Sequence, residues 1–485
     1  MPINVLSTVR SLIRRRPVRL GVYLAIAAGL VSCADLPAGR AIRIGTSSVS
    51  HAVCSNHFIG GQPADTVYRE EMAPDRGQKL IGWALNYRVD DTRREVTTTV
   101  LGGFEKRAIY KEGLGCTVLH GDAVPPALAA QDVPPRLPEL ADGFAPAEPV
   151  KAADPAIRAA IDESFVEPAE PPYRRTKAVV VVHRGRVIGE GYAPGIGVDT
   201  ALHGHSITKS VTAALVGVLA REGRLKPWEP GQIKAWQSTD DPRRVITIDQ
   251  LLGMVSGLPG DEYAGGWDAS SRMWFAERDM AAYAATARPD AEPGKRWAYS
   301  DLGYMLVSRA VRDASGGDAG SFLKFAHREL FDPIGMRHVT VEFDETGTPL
   351  GPSHLYASAR DFARFGLLYL NDGMAGGRRI LPEGWVKNAS TPKTDAAYGS
   401  GFWLNTSQAA NGQCGLFGMP GAPADAYFAR GYLGQYVVIV PSRQLVVVRL
   451  GVSYGQCGQV NNTGRLVKSV VDALDAKPAL AQSAP

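Results

Sequence analysis

Ser206 and Lys209 stand three residues apart in the segment HGHSITKS, residues 203–210. A hydroxyl beside an amine is a pairing that acyl transfer can use: the amine takes the hydroxyl proton and the oxygen attacks a carbonyl carbon. From Ser206 onward Val211, Leu215, Val218 and Leu219 recur at helical spacing, with small Ala213, Ala214 and Gly217 between them and Gly223 as a stop. Residues i and i+3 share a helix face, so Lys209 falls near the Ser206 hydroxyl. Burial in an apolar helix bundle would depress the lysine pKa and free a neutral amine, while the helix N-terminus favours the negative charge of an acyl intermediate. The alternative is that Ser206 only caps the helix and Lys209 is solvated.

Other chemistries fit less well. An α/β-hydrolase elbow needs Gly-x-Ser-x-Gly, and Gly204-His205-Ser206-Ile207-Thr208 lacks the second glycine. His203 and His205 have no HExxH or acidic triad with them, so they are expected to be packing or supporting groups rather than metal ligands. There is no phosphate-binding glycine loop. No metal and no organic cofactor is expected.

The elements that must position Ser206 follow from periodicity. KAVVVVHRGRVIGEGYA (177–193) reads as a hairpin turning at Arg184-Gly185, and QYVVIVPSRQLVVVRLG (435–451) as another turning at Pro441-Ser442-Arg443. Between them VTAALVGVLAREG, MAAYAATA, YMLVSRAVRDASG and ARDFARFGLLYLNDG are helical in pattern. The two hairpins are expected to meet in one antiparallel sheet of an α+β body. Upstream, REVTTTVLGGF (94–104) and RAIYKEG (107–113) are strand-like and place a small subdomain over 33–120, one that packs on or caps the body. Residues 121–155 thin into Pro and Ala and read as an extended linker, the body spans 156–475, and 476–485 reads as a disordered tail.

The N-terminus carries an address. Residues 1–32 hold five arginines and no acid, followed by the apolar run GVYLAIAAGLVS, which is short for a membrane span. LVSC resembles the bacterial lipoprotein box, so Cys33 is expected to be lipidated, and Ala34 after it is not the aspartate of inner-membrane retention. This predicts a lipid-anchored protein on the periplasmic side, on the outer rather than the inner membrane. Removing those arginines takes the net charge from +4 to −1, which gives no electrostatic reason for a nucleic-acid partner. The remaining Cys54, Cys116, Cys414 and Cys457 permit three pairings in an oxidising compartment; Cys54 with Cys116 and Cys414 with Cys457 are the pairs nearer in sequence.

GKRWAYSDLGYMLV (294–307) puts Tyr299, Ser300 and Asp301 at the mouth of a helix, and it is joined by TIDQLLGMVSGLPGDEY (247–263) and LFDPIGM (330–336). Together with HGHSITKS these segments resemble the serine β-lactamase-like superfamily of class C β-lactamases, DD-peptidases and related esterases, over about residues 175–465. ARDFARFGLLYLNDG, GRRILPEGWV and YGSGFWLN are most similar to the branch of 6-aminohexanoate-dimer hydrolase and carboxylesterases. The resemblance implies an antiparallel sheet flanked by helices plus an all-helical part, with the site between them. It makes Ser206 the acylated serine, Lys209 its base and Tyr299 the proton shuttle to the leaving group.

By the same match the third motif falls at Ala429-Arg430-Gly431. It assigns the backbone N–H groups of Ser206 and Tyr432 to an oxyanion hole, about 3 kcal/mol per donor. Ala429 replaces the Lys or His that would hold a β-lactam or D-Ala carboxylate, and a neighbouring strand residue such as Arg430 points to the other face. Asp301 replaces an asparagine; it would hold Lys209 charged or bind a substrate amine. Tyr263 matches a tyrosine serving an amide leaving group, and Gln435 is structural. The expected activity is an acyl-enzyme hydrolysis of esters or linear amides of small acyl groups. The alternatives are a catalytically quiet envelope lipoprotein using the fold for binding, and a DD-peptidase or β-lactamase.

Overall fold

Two β-branched runs far apart in the chain build one sheet. The computed structural model describes residues 37–121, 123–128, 133–261, 268–406 and 418–476. The expected leader 1–32, Cys33, Tyr263, Cys414 and residues 477–485 of the expected tail lie outside the described residues.

The N-terminal unit contains helix α1 (Pro37–Phe58), short helical segments at Ala64–Val67, Tyr68–Met72 and Arg76–Ile81, and a meander of β1 (Leu85–Asp90), β2 (Glu95–Val100), β3 (Gly103–Lys111) and β4 (Gly115–Leu119), paired antiparallel in that order. The segment 94–104 is not one strand as its composition suggests. Leu101 and Gly102 both take positive φ, 53° and 74°, and fold β2 back onto β3. Val49, Val53, Val96 and Ala108 form a small core between α1 and the meander, and the Cys54–Cys116 disulfide ties α1 to β4. The other expected pair includes Cys414, outside the described residues. No helix among the described residues is long and apolar enough to cross a membrane.

In the body, helix α2 (Pro155–Glu163) precedes β5 (Thr176–His183) and β6 (Arg186–Tyr192). After β7 (Leu202–His203) come α3 (Ile207–Arg221), α4 (Ala269–Ala276), α5 (Asp301–Ser315), β8 (Leu355–Ala357) and α6 (Ala359–Leu370). The chain ends with β9 (Trp403–Leu404), β10 (Tyr427–Gly431), β11 (Gln435–Val440), β12 (Leu445–Gly451) and α7 (Gln456–Asp475). The sheet order is β9-β10-β11-β12-β5-β6, so the first and last hairpins do meet, with Val181 opposite Val447 and Val182 opposite Val446. The centre of β5 shows no alternation of apolar and polar residues because it is covered on both faces: Ala178 through Val182 are all buried. Gly366 lets α6 press onto the sheet, since a Cβ there would lie 2.6 Å from Val446 Cγ1 and 2.9 Å from Val437 Cγ1.

The Pro-rich connector does not stand off as a spacer. Phe144 is buried, Arg337 donates to the Pro138 carbonyl at 2.8 Å, Arg360 to the Pro146 carbonyl at 2.7 Å, and Arg364 to Asp142 at 2.7 Å. Proline-rich backbone has carbonyls without a sheet partner, and the arginines of the body satisfy them.

The N-terminal unit docks through Glu342, which is fully buried. Its Oε1 accepts from Ser55 Oγ and from the Cys116 N–H, both at 2.7 Å, and its Oε2 lies 3.0 Å from His51 Nε2. Burial alone would lower the His51 pKa; the Glu342 carboxylate outweighs it and raises the ring above its ordinary 6.5. A raised histidine stabilises the native state fully below its unfolded pKa, and that contribution is lost as pH climbs through the folded value. Docking therefore weakens on the alkaline side of 6.5. Glu342→Ala is expected to cost about 3–5 kcal/mol, because three donors lose a buried charged acceptor together. Urea denaturation at neutral pH checks it; an unchanged midpoint would remove Glu342 as the anchor.

Candidate active site

The nucleophile candidate sits on a forced turn. His205 has φ +46°, a left-handed backbone that a residue with a Cβ rarely adopts, and Gly204 before it is wedged so that a Cβ would meet Phe362 Cζ at 2.7 Å. Ser206 follows at the start of α3, yet its side chain makes no capping bond. The Ser206 hydroxyl instead accepts from Lys209 Nζ at 3.0 Å. Lys209 is not solvated either: its side chain is 1% exposed. Both halves of the capping alternative fail on geometry.

Three acceptors surround the Lys209 Nζ: Ser206 Oγ at 3.0 Å, the Pro352 carbonyl at 2.9 Å and Asp301 Oδ1 at 2.5 Å. The ammonium also lies over the Tyr299 ring, 4.7 Å from its centroid, and within 5.8 Å of the Tyr304 ring. Tyr299 is held by stacking on Trp403, centroids 5.8 Å apart. An ammonium has three protons, so the buried group is fully satisfied with the serine as one partner.

Asp301 opens α5 and is itself supported. Its Oδ2 receives Trp274 Nε1 at 3.2 Å and Ser270 Oγ at 3.2 Å. Below it Asp261 accepts from Ser300 Oγ at 2.6 Å and from the backbone N–H groups of Asp301 and Leu302 at 2.8 and 3.0 Å. Ser270 Oγ also lies 2.9 Å from Asp261 Oδ1. Burial, and then the charge of Asp301, push the Asp261 carboxyl up to about 6. One serine hydroxyl has a single proton, so Ser270 can donate to Asp261 or to Asp301 but not to both at once.

On the other side of the cleft β10 runs against the turn. A Cβ on Gly431 would fall 2.2 Å from the Gly204 carbonyl oxygen, so this strand approaches the nucleophile turn backbone to backbone. Tyr432 is next in the chain; Gln435 Nε2 donates to its carbonyl at 3.0 Å and to that of Gly451 at 2.6 Å, fixing the bend. Ala429 is buried in β10. The Arg430 guanidinium sits over Trp403 at 5.6 Å and Tyr436 at 5.9 Å.

A cavity of about 460 Å³ lies over Ser206, bounded below by Asp301, Trp274 and Tyr432 and roofed by Ala41, Ile42, Leu80 and Ile81 of the N-terminal unit. Its size is that of a small-molecule site. Glu71, His203, His205 and His354 also line it. Burial holds His203 and His354 well below the ordinary histidine range and His205 at about 3, and pushes Glu71 up to about 7.

The Beta-lactamase family model matches residues 171–460. The chain belongs to the β-lactamase family. This family includes serine hydrolases with amidase, esterase and peptidase activities. The chain is 24% identical over 246 residues to 6-aminohexanoate-dimer hydrolase of Paenarthrobacter ureafaciens, covering 47% of this chain and 61% of that protein. In fold it is similar to a penicillin-binding protein homologue from Caulobacter crescentus, with TM-score 0.51, 17% identity, and coverage of 67% of this chain and 98% of that one. A family VIII carboxylesterase gives TM-score 0.50 at 15% identity, again covering 67% and 98%. The family match begins at 171, so the roof over the β-lactamase-family cleft is built by residues upstream of it.

Ser206, Lys209, Tyr299 and Asp301 are brought together, with Gly431 and Tyr432 on the facing strand. Tyr263 lies outside the described residues. Asp261, Ser270, Trp274 and Glu71 were not expected. Asp261 had a signal, an acid closing the apolar stretch LLGMVSGLPGD; Glu71 had none, since it lies in a different unit of the chain.

Proposed function

We propose that the chain is a serine hydrolase, acylated on Ser206, that cleaves esters or linear amides of small acyl groups. The observation that carries this is the buried line from Ser206 Oγ through Lys209 Nζ to Asp301 Oδ1, at 3.0 and 2.5 Å. As Oγ bonds to the substrate carbonyl carbon, its proton passes to Nζ and Nζ passes one to Asp301, so the carboxylate is the final acceptor and lysine the relay. The oxyanion of the tetrahedral intermediate is held by the N–H groups of Ser206 and Tyr432. Collapse breaks the C–O or C–N bond, the leaving group takes its proton from the relay by way of Tyr299, and water releases the acyl group by the same route.

The roof offers Ala41, Ile42, Leu80 and Ile81 to an apolar acyl chain, with Glu71 and Asp75 lining the same cavity, and Ala429 offers no cation to a β-lactam or D-Ala carboxylate. The similarity to a hydrolase named for a linear amide dimer supports the amide arm of the reading. The Cys54–Cys116 disulfide fits an oxidising compartment and supports an envelope location with a lipid anchor on Cys33.

The test is fluorophosphonate labelling with mapping of the modified residue, alongside turnover of p-nitrophenyl butyrate, linear ω-amino amides, D-Ala peptides and nitrocefin. Labelling confined to Ser206 and turnover of the first two classes are expected. A folded protein that neither labels nor hydrolyses any of them would leave the binding-module alternative standing. Efficient nitrocefin turnover would overturn the role given to Ala429.

A further inference from the structure

His203 and His205 stack with ring centroids 3.6 Å apart, because residues i and i+2 at the end of β7 share a face and the left-handed His205 keeps its ring beside its neighbour. Glu71 comes to the same place from the N-terminal unit, with Oε1 3.9 Å from His205 Nε2. The side chains of His205 and Glu71 are 12% and 11% exposed. A ring nitrogen of each histidine and a carboxylate oxygen of Glu71 all lie within 4.8 Å of one another. Around a tetrahedral zinc such atoms stand about 3.4 Å apart, so small side-chain rotations close the set.

The tautomer of His203 is already fixed. Its Nε2 faces the Ser353 carbonyl at 3.1 Å, and a carbonyl can only accept, so Nε2 carries the proton. Nδ1 is then a bare lone pair, and it is buried with no hydrogen-bond partner. A buried lone pair left without a donor needs an explanation, and an imidazole that gives its other N–H to a backbone carbonyl is the arrangement of a metal ligand. Two imidazoles and a carboxylate with an open fourth position match zinc-type ions better than magnesium or calcium, which prefer all-oxygen shells.

We propose that Glu71, His203 and His205 form a binding site for one divalent transition-metal ion of zinc type, clasped between the N-terminal unit and the turn that carries Ser206. The ion joins roof to floor of the cleft beside the nucleophile. The sequence argued against ligation here because no HExxH or acidic triad accompanies His203 and His205; Glu71 supplies the acid from 132 residues upstream of His203. The site does not depend on the hydrolase reading, and its test does not use turnover.

Untagged, chelator-stripped full chain is titrated with Zn²⁺ against a chromophoric chelator. One tightly held ion per chain is expected, with a thermal transition that rises as Zn²⁺ is added. Glu71→Gln is expected to weaken binding by at least about 100-fold, and His57→Gln to leave it unchanged, since His57 pairs with Asp91 at a separate exposed place. If Glu71→Gln does not fold, His203→Gln supplies the same comparison. No binding at micromolar Zn²⁺, or binding undiminished in a folded Glu71 or His203 variant, overturns the proposal.

Discussion

Lys209→Ala is expected to lower kcat/KM for p-nitrophenyl butyrate by about 10²- to 10⁴-fold, the range for loss of a positioned proton-transfer group. The same change is expected to destabilise the fold by about 3–5 kcal/mol, because it strands a buried carboxylate. Asp301 is 4% exposed, and the change removes the amine that lies 2.5 Å from its Oδ1. The two losses separate in a second variant. Adding Asp301→Asn to Lys209→Ala removes the isolated charge while keeping a polar group for Trp274 and Ser270, so urea stability returns and activity does not. Turnover near the parent level in Lys209→Ala would sink the relay; stability that fails to recover in the double variant would mean that Lys209 fills space rather than balancing charge.

Gly431→Ala is expected to reduce kcat by about 10²- to 10³-fold, the value of one oxyanion donor, with KM little altered. The backbone at Gly431 is ordinary, φ −120° and ψ 160°, so conformation alone does not demand glycine. Space does: the new methyl would sit 2.2 Å from the Gly204 carbonyl oxygen and 3.0 Å from the Cβ atoms of His205 and Gln435. None of these is the far end of a flexible side chain, so β10 and the nucleophile turn must part. The N–H of Tyr432 would then leave the place proposed for it in the oxyanion hole. Steady-state kinetics with a near-UV spectrum as a fold control reads this directly, and parent-like kcat in a folded variant would take Tyr432 out of the oxyanion hole.

The body was legible because its signals are local. KAVVVVHRGRV and QYVVIVPSRQLVVV each declare a hairpin over fewer than twenty residues, and their pairing follows from having nowhere else to bury two such runs. Ser206 and Lys209 declared each other by spacing along one helix. What stayed hidden needed contacts across the chain. Nothing near Asp301 says that Asp261 will hold its backbone from forty residues upstream, or that Ser270 and Trp274 will cover its second oxygen. REVTTTVLGGF reads as strand-like, and it is strand on both sides of a turn the composition does not show, because Leu101 is an unlikely residue for positive φ and only pairing with β3 makes the fold-back worthwhile.

Glu342 gives the cleft a particular kind of hinge. Apart from Leu114, which packs into the body's core, roof and floor have separate apolar cores, and polar contacts tie them: Ser55, Cys116 and His51 at Glu342, Thr117 at the Phe343 carbonyl, the His120 N–H at Glu345 and Lys177 at Glu70. Water can take over those bonds one by one, whereas it cannot replace the contacts inside either core. Opening the roof would therefore wet this polar seam while leaving most contacts inside either core in place. The roof over Ser206 is thus held by groups that answer to hydration and to pH at Glu342 as well as by the apolar contacts within each unit.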